Sequence, residues 1–390
     1  MGIFLLGCGE MGKVIGTDLL ETYGGELTFA DRDVKRAEDL AKRYPKKKVK
    51  TIAVDVKDKA SLVKVIEDSK ANVLINAVNY YFNLDVMAAC LAAGVDYLDL
   101  GGMFHMTRKQ LELDRDFKAK KILAVPGIGS SPGITNVLGA YGAAMLDKVT
   151  AMEISFADKD YTKYETSIAL PYSILTLFEE FSDKPMIFEN GEYKSVEPLV
   201  NVKEIKFPEP LNNAKCFYTL HSEAATLPSS FPTLLKCNFR GGFDIGLVDK
   251  IKFLIEIGFA SNEKVALPEG QSVSPRDVIV TMTNKFIPTP DLKVDDLEFL
   301  RVELEGVLKG KKKTLVIYCE SLTNKKWNIP AGSWDTGVAP SIVAQMMDSG
   351  GIKTKGVVPP EKAIDPKPFF KELERRGLKV FVEDYSNPKK

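Results

Sequence analysis

Three glycines near the N-terminus, Gly7, Gly9 and Gly12, have the spacing of a loop that wraps a phosphate group. They follow an apolar run and precede a stretch of helical periodicity, so the free N–H groups at the helix start can hold an anion. Gly7 allows the turn out of the strand, Gly9 lets the backbone approach a pyrophosphate, and Gly12 lets the helix lie close to the strand. Asp31 ends a second apolar run, where its carboxylate can accept hydrogen bonds from an adenosine ribose. This combination predicts a site for NAD or NADP.

The residue at the end of the second strand also bears on which dinucleotide binds. The carboxylate of Asp31 favours NAD because it would repel a ribose 2′-phosphate. The neighbouring guanidinium of Arg32 keeps NADP as an alternative, since it could pair with that phosphate or stack on adenine. Other cofactor contacts are expected at the carboxyl ends of neighbouring parallel strands. The full expected set is Gly7, Gly9, Glu10, Met11, Gly12, Asp31, Arg32, Asp55, Val56, Asn76, Ala77, Val78, Leu100 and Gly101.

The elements that must position these residues alternate between short aliphatic runs and helical stretches up to about residue 125, a pattern typical of a doubly wound parallel sheet. Further strands are predicted at 49–54, 73–77, 97–100 and 122–125, with helices at 61–68 and 84–93. After Gly133 the periodicity changes. The later predicted helices are 134–146, 172–181, 248–258, 339–347 and 369–376; the later strands are 152–156, 216–220, 299–308 and 313–320, with a hairpin at 190–191.

The predicted fold class is therefore α/β, with a Rossmann-type doubly wound parallel sheet and an α+β substrate domain. We expect residues 1–128 to form the NAD(P)-binding Rossmann domain and residues 129–330 to form the α+β domain for substrate binding and dimerisation. Residues 331–390 are expected to return and pack on the Rossmann domain, because the apolar helix at 339–347 needs continuous burial.

The composition argues against a nucleic-acid-binding protein, a membrane protein and a disulfide-rich or metal-binding protein. The 390 residues include 53 basic and 53 acidic side chains, so no global field attracts nucleic acid or an acidic membrane. No signal sequence and no apolar stretch long enough to span a bilayer is evident, so we expect a cytoplasmic protein. Five scattered cysteines and two histidines indicate neither a disulfide framework nor a metal site.

Five segments, taken in order, resemble the saccharopine dehydrogenase family. The resemblance covers nearly the whole chain and is nearest to members that oxidise L-lysine. The segments are 79–83 (NYYFN), 97–102 (YLDLGG), 127–133 (GIGSSPG), 336–340 (TGVAP) and 356–361 (GVVPPE).

The resemblance implies a nicotinamide-dependent dehydrogenase that oxidises the carbon bearing the ε-nitrogen of lysine, either in L-lysine or in saccharopine. It also implies a Rossmann domain completed by C-terminal chain, with an α+β substrate domain between. We further expect a homo-oligomer, either a dimer or a tetramer, and a small-molecule amino acid substrate. Saccharopine reductases carry an acid in the turn at 130–133 and an arginine differently placed from Arg240, and both departures weaken the assignment to saccharopine. Two alternatives stay open: a carboxynorspermidine-type polyamine dehydrogenase, and a dinucleotide-binding protein without turnover.

An amine substrate would need a base, because hydride leaves the carbon only when the neighbouring nitrogen has a free lone pair. His221 titrates near neutral pH, and Glu223 could orient its ring. The alternative to a catalytic role is that His221 only forms structural hydrogen bonds at the end of a strand. Tyr80 and Tyr81 follow the fourth strand, where a hydroxyl can contact cofactor or substrate. We predict His221, Glu223 and Tyr81 as catalytic residues.

Four residues are predicted to contact the substrate. Arg240, next to two glycines, could clamp a carboxylate with its bidentate guanidinium, although an ordinary salt bridge is an equal alternative. His105 follows the fifth strand, close to the expected position of the nicotinamide, and could contact the substrate there. The alternative is that His105 belongs to a loop whose side chains only pack against the protein. Tyr80 and Ser131 complete the set.

Overall fold

The computed structural model describes residues 2–165, 169–286 and 292–385. The strands are β1 Gly2–Leu6, β2 Glu26–Asp31, β3 Val49–Ala53, β4 Val73–Asn76, β5 Asp96–Asp99, β6 Leu123–Val125, β7 Lys148–Asp160, β8 Met186–Glu189, β9 Glu192–Ser195, β10 Lys203–Lys206, β11 Asn213–Tyr218, β12 Lys236–Gly242, β13 Val265–Ala266, β14 Ser272–Val273, β15 Asp296–Leu308, β16 Lys311–Leu322, β17 Gly356–Val357 and β18 Lys379–Asp384. The helices are α1 Glu10–Thr22, α2 Val34–Ala41, α3 Lys59–Ser69, α4 Asn83–Ala93, α5 Met103–Leu111, α6 Asp114–Lys120, α7 Ile134–Ala143, α8 Ile174–Ser182, α9 Glu223–Ser230, α10 Ile245–Glu256, α11 Pro275–Phe286, α12 Ala331–Asp348, α13 Pro360–Ala363 and α14 Pro366–Arg375.

The first sheet is parallel, with the strand order β17-β6-β5-β4-β1-β2-β3. Its strands are buried on both faces. Leu5 and Ile75 pack with α1, α2 and α12 on one face, whereas Phe4 and Leu74 pack with α3, α4 and α6 on the other. The strand order reverses at β1, which pairs with both β2 and β4, so a crevice opens beyond the carboxyl end of β1.

The second sheet is mixed and has nine strands. Its main path is β10-β11-β12-β7-β15-β16-β18, with β8 paired to β12 and β9 paired to β8. Side chains alternate between its two faces. Ile154 and Leu300 belong to the core shared with the first sheet, and the neighbouring residues Ser155 and Arg301 therefore lie on the opposite face. Together the two sheets confirm the α/β class with an α+β second part.

The C-terminal part of the chain contributes to both sheets. Strand β17 pairs with β6 and adds a strand to the first sheet, and α12 packs on α1, where a Cβ on Gly337 would lie 2.4 Å from a methyl group of Val14. Strand β18, which was not predicted, pairs instead with β16 in the second sheet. The expected division at residues 128 and 330 stays a prediction.

Several helices begin where a polar side chain accepts a hydrogen bond from the first turn. Helix α12 begins eight residues before the predicted start at 339, because the Asp296 carboxylate accepts the backbone N–H of Ala331 at 2.9 and 3.1 Å. Ser173 caps α8, and Asp365 caps α14 just before Pro366. The predicted hairpin at 190–191 is confirmed by the pairing of β8 with β9. No range was predicted from the sequence for α2, α5, α6, α9, α11 or α13.

Candidate active site

The glycine loop has the geometry that a pyrophosphate site requires. Gly7 has a φ of 93°, and a Cβ on Gly12 would lie 2.0 Å from the carbonyl oxygen of Gly7, so neither position accepts a side chain. A Cβ on Gly9 would have no atom within 4 Å, so the side of the loop that a ligand must approach is open. No side chain caps the N-terminus of α1, which leaves its first N–H groups for an anion. These residues fit a nicotinamide dinucleotide.

Asp31 lies at the end of β2, buried beside this loop. One carboxylate oxygen accepts the N–H of Cys8 at 2.8 Å, and the other accepts the N–H of Asp33 at 3.0 Å. Each oxygen keeps a lone pair for a ribose hydroxyl. Burial and the charge of Asp31 raise the pKa of the Cys8 thiol to about 12, so Cys8 is a packing residue and not a nucleophile. Arg32 is exposed.

The other expected cofactor residues differ in how far their side chains are exposed at the crevice. Asp55 is exposed and accepts the N–H of Lys57, whereas Val56 is buried. The side-chain amide of Asn76 is buried and donates to Asn83 at 3.0 Å and to Tyr97 at 3.2 Å. These hydrogen bonds link the end of β4 to α4 and β5, so the Asn76 side chain has a structural role. The remaining residues, which are exposed or half-buried at the ends of their strands or at the start of α1, are Glu10, Met11, Ala77, Val78, Leu100 and Gly101.

Asp99, at the end of β5, organises the loops around the expected nicotinamide position. One of its oxygens accepts the N–H groups of Gly101 and Gly127, each at 2.8 Å. The other accepts the Tyr97 hydroxyl at 2.7 Å and the Gln110 amide at 2.5 Å. Four donors on one buried carboxylate hold the two loops together. Asp99 was not predicted as a site residue.

His221 lies between two buried carboxylates. Its Nε2 is 3.4 Å from Glu180, and its Nδ1 is 3.6 Å from Glu223, although neither contact has the alignment of a hydrogen bond. Its ring stacks on Phe239, with centroids 3.6 Å apart. Burial lowers the pKa of His221, but the two carboxylates outweigh burial and raise it to about 9. The ring is therefore mostly protonated at neutral pH, whereas the sequence alone indicated a histidine that titrates near neutral pH.

Glu223 is the first residue of α9 and is fully buried. One oxygen accepts the hydroxyls of Ser131 at 2.5 Å and Thr135 at 3.0 Å, and the other faces His221. Burial opposes its charge, but the contact with His221 and these hydrogen bonds hold its pKa below the usual range. Ser131 therefore reaches the site, where it positions Glu223.

Glu180 of α8 was not predicted as a site residue. It is buried and accepts the Tyr172 hydroxyl at 2.5 Å, while its second oxygen lies near His221. Two adjacent acids on the apolar helix α8 were the signal that could have revealed it, because a buried carboxylate needs a partner.

Tyr80 and Tyr81 lie beside this group rather than within it. Their rings are 4.4 Å apart, and the Tyr81 hydroxyl bonds to Glu179, which also pairs with Arg276 at 2.7 Å. Burial and the Glu179 hydrogen bond raise the pKa of Tyr81, so it does not ionise at neutral pH. The structure joins Tyr81 to Glu179 and not to His221, and a catalytic role for Tyr81 stays a prediction.

Two predicted substrate residues lie elsewhere. Arg240 follows Phe239 in β12 and therefore occupies the opposite face of the sheet from His221. There its guanidinium bonds to Asn238 at 2.5 Å and lies 4.0 Å from the Tyr218 ring centroid, so it does not clamp a substrate at His221. His105 is exposed on α5, with its ring against Phe104, and contacts neither Glu180 nor Glu223 in the described part of the chain.

Residues 2–165, 169–286 and 292–385 contain no group of three or more His, Cys, Asp or Glu side chains arranged to hold a metal ion. Over the same ranges, no helix combines the length and apolar character needed to cross a bilayer.

Comparison with known proteins covers both parts of the chain. Residues 3–125 match a model of the saccharopine dehydrogenase NADP binding domain, and residues 129–378 match the saccharopine dehydrogenase C-terminal domain. A solved structure of saccharopine dehydrogenase (L-Glu forming) from Saccharomyces cerevisiae, 16% identical, superposes with a TM-score of 0.76 over 99% of this chain and 100% of that chain. At that identity the likeness concerns the fold.

Two relatives of similar length carry more specific names. Carboxyaminopropylagmatine dehydrogenase of Synechocystis sp. is 26% identical over 96% of each chain. Carboxynorspermidine synthase of Vibrio alginolyticus is 24% identical over 98% of this chain and 97% of the relative. The family models, which match more than half of the residues, settle the family and with it the binding of NAD(P). This chain belongs to the saccharopine dehydrogenase family and is an NAD(P)-binding oxidoreductase.

Proposed function

We propose that this chain is an NAD(P)-dependent dehydrogenase that forms or oxidises a secondary amine in a carboxylated polyamine. The observation that carries the proposal is the pair of buried carboxylates, Glu180 and Glu223, on either side of His221. The single positive charge of His221 does not balance the two carboxylates, so the buried group keeps a net negative charge, which favours a cationic nitrogen. The names of the two full-length relatives support the same substrate class.

The arrangement favours a polyamine over saccharopine. Saccharopine would bring several carboxylates next to Glu180 and Glu223, where they would be repelled unless cations neutralised them. Arg240, the expected clamp, lies on the opposite sheet face, and Arg276 is already paired with Glu179 at 2.7 Å. L-Lysine, which carries one carboxylate and two amines, is the competing substrate.

The protonation state of His221 indicates its role in each direction. In synthesis, the imidazolium donates a proton to the imine nitrogen, which makes the adjacent carbon electrophilic. The bound nicotinamide supplies the hydride to that carbon, or accepts it in the reverse direction. In oxidation, the substrate ammonium must lose its proton first, and His221 accepts that proton only after losing its own. We therefore propose His221 as acid in synthesis and as base in oxidation, with Glu180 and Glu223 stabilising its charged form.

Turnover with a substrate panel tests the proposal. The purified protein is incubated with NAD⁺ or NADP⁺ and, separately, with carboxynorspermidine, carboxyaminopropylagmatine, L-lysine and saccharopine. We expect the highest kcat/KM with a carboxylated polyamine. A higher kcat/KM with L-lysine or saccharopine would contradict the proposal. Dinucleotide binding without turnover of any of the four would favour a non-catalytic binding protein.

A matched pair of variants connects the activity to the site. Glu180→Gln removes a carboxylate that faces His221, whereas Glu305→Gln removes an exposed carboxylate from the opposite face of the second sheet. We expect only Glu180→Gln to lower kcat/KM for the polyamine. Equal activity of the two variants would show that the carboxylates around His221 do not serve this reaction.

A further inference from the structure

Residues 245–286, from α10 to α11, expose a concentration of apolar side chains. Among the described residues, fifteen large apolar side chains are exposed, and eight of them lie in this one segment. The segment consists of α10, the hairpin of β13 and β14, and α11. Its two helices are joined where the backbone N–H of Arg276, at the start of α11, donates to the carbonyl oxygen of Ser261, shortly after α10. We refer to residues 245–286 as the arm.

Helix α10 of the arm is apolar on two sides. Val248 and Ile251 are buried in the core. Phe253 and Ile257, one turn apart on the outward side, are 58% and 53% exposed. A surface helix normally presents a polar outward face, and a helix that is apolar all round is normally buried. The outward side of α10 therefore has the character of a covered surface.

The hairpin and α11 form an open groove of the same character. The groove has a volume of about 420 Å³, and its apolar lining residues are Val273 of β14 with Val278 and Met282 of α11. Among the described strands, β13 and β14 pair only with each other. A two-stranded hairpin is marginally stable in water, so this hairpin needs a surface to pack on.

The area of the exposed apolar surface is large enough for a contact between proteins. Eight large apolar side chains that are 37–58% exposed present on the order of 500–700 Å². A soluble monomer seldom exposes a contiguous apolar patch of more than a few hundred Å². A stable interface buries about 800 Å² on each partner, including its polar rim. The arm alone therefore supplies most of one side of a stable interface.

The charges of the arm favour a second copy of this chain as the partner. The arm contains five acidic and five basic side chains, and the exposed Lys252 and Glu256 lie on either side of Phe253. Because both signs are present in equal number, acids of one copy can face bases of the other. The same balance provides no field for nucleic acid or an acidic membrane. A twofold dimer uses one surface on both subunits, so that surface must be complementary to itself.

The arm also supports the helix that carries Glu180. Both α10 and α11 pack on α8. Arg276 of α11 pairs with Glu179 at 2.7 Å. Phe243, just before α10, packs edge-on against Phe181, with the ring centroids 5.1 Å apart. Glu180 is the residue between these two anchored side chains, so a contact that orders the arm also orders the position of Glu180.

We propose that the outward face of the arm is the interface with a second copy of this chain, and that this contact holds α8 so that Glu180 faces His221. Phe253, the most exposed apolar side chain of the arm, is the expected anchor of the interface. An oligomer was expected from the sequence, and the proposal gives it a surface and a role in the site. It does not depend on which amine is the substrate.

Sedimentation velocity of the full-length protein over a wide range of concentrations tests the interface. We expect the unaltered protein to form a species of twice the mass of the chain. Phe253→Asp places a charge in the interface on each copy and should raise the dissociation constant of the dimer about a hundredfold or more. Met282→Asp tests the groove in the same way. Val202→Asp, at a position that is 54% exposed outside the arm, is the matched control and should leave the dissociation constant unchanged.

Hydrogen exchange measured by mass spectrometry tests the effect of the contact on α8. At a concentration where the unaltered protein is dimeric, the backbone amides of α8 should exchange about tenfold faster in Phe253→Asp, because the arm has lost its contact. In Val202→Asp they should exchange at the rate of the unaltered protein. Neither measurement uses a substrate, so both results are independent of the proposed function.

Three results would count against the proposal. A monomer at every concentration would overturn it. A dimer that Phe253→Asp and Met282→Asp weaken no more than Val202→Asp does would place the interface on another surface, and this result would overturn it too. Dissociated variants whose α8 amides exchange at the rate of the unaltered dimer would refute the role of the contact in holding Glu180.

Discussion

The imidazole of His221 stacks on the ring of Phe239 with the two centroids 3.6 Å apart and the planes 17° from parallel. The stacking orients the ring so that its two nitrogens face Glu180 and Glu223. Phe239 belongs to β12, a central strand of the second sheet, so this sheet supports the orientation of the His221 ring.

The pH profile of oxidation should report the titration of His221. With a pKa of about 9, roughly one ring in a hundred is neutral at neutral pH, so kcat/KM should rise with pH and level off near the pKa. His221→Gln should lower turnover about a hundredfold and flatten the rise. His105→Gln makes the same change at the exposed histidine and separates the two residues. A large loss of turnover with His105→Gln and no loss with His221→Gln would show that His105, and not His221, is the titrating residue.

Conformational stability should depend on the same group. The folded pKa of about 9 exceeds the usual value of 6.5, so the protonated ring contributes stability that is complete below pH 6.5 and is lost as pH rises through 9. The contribution should be at most about 3 kcal/mol. Urea unfolding of the unaltered protein and of His221→Gln across this range measures it. Parallel pH dependences in the two proteins would show that His221 makes no such contribution.

Two glycine substitutions should separate folding from cofactor binding. Gly9→Ala adds a methyl group where no atom lies within 4 Å, so the melting temperature without cofactor should be almost unchanged. The same methyl group would occupy the approach of the pyrophosphate and should weaken dinucleotide binding about tenfold or more. Gly12→Ala should lower the melting temperature, since its methyl group would clash with Gly7. Calorimetry and thermal unfolding measure both effects, and full affinity of Gly9→Ala would contradict the proposed path of the pyrophosphate.

Cofactor preference should depend on Asp31. We expect NAD to bind more tightly than NADP, and Asp31→Ser to narrow or reverse the difference, because the repulsion of the 2′-phosphate is removed. Asp33→Ser is a suitable control, since serine can still cap α2 and the position is exposed. Tighter binding of NADP than of NAD by the unaltered protein would contradict this role of the Asp31 carboxylate.

Arg240 should prove to be a structural residue. Arg240→Lys keeps the charge but loses the planar contacts with Asn238 and Tyr218, so it should lower stability by about 1–3 kcal/mol with little change in KM. Thermal unfolding and steady-state kinetics on the same preparation measure the two effects. A raised KM at unchanged stability would restore the carboxylate clamp expected from the sequence.

The sequence by itself determined the dinucleotide site and the class of fold. The glycine loop, its strand and helix, and Asp31 lie within one short βαβ unit, where spacing along the chain fixes position in space. The hairpin at 190–191 and the alternation of strands and helices up to residue 125 were predictable for the same reason. The five segments that resemble the saccharopine dehydrogenase family are spread over nearly the whole chain, so the resemblance also predicted the class of fold beyond the βαβ unit.

Only the tertiary structure decided which acids surround His221 and which face Arg240 occupies. Glu180 reaches His221 from a helix that four strands separate from it in sequence, so spacing could not reveal this contact. The sequence could not tell which face of the strand Arg240 occupies, because consecutive side chains of a strand point to opposite faces. Only the packing of Phe239 on His221 shows which face lines the site. The raised pKa of His221 arises from these same contacts between distant residues, and for that reason the sequence indicated a histidine that titrates near neutral pH where the fold produces an imidazolium.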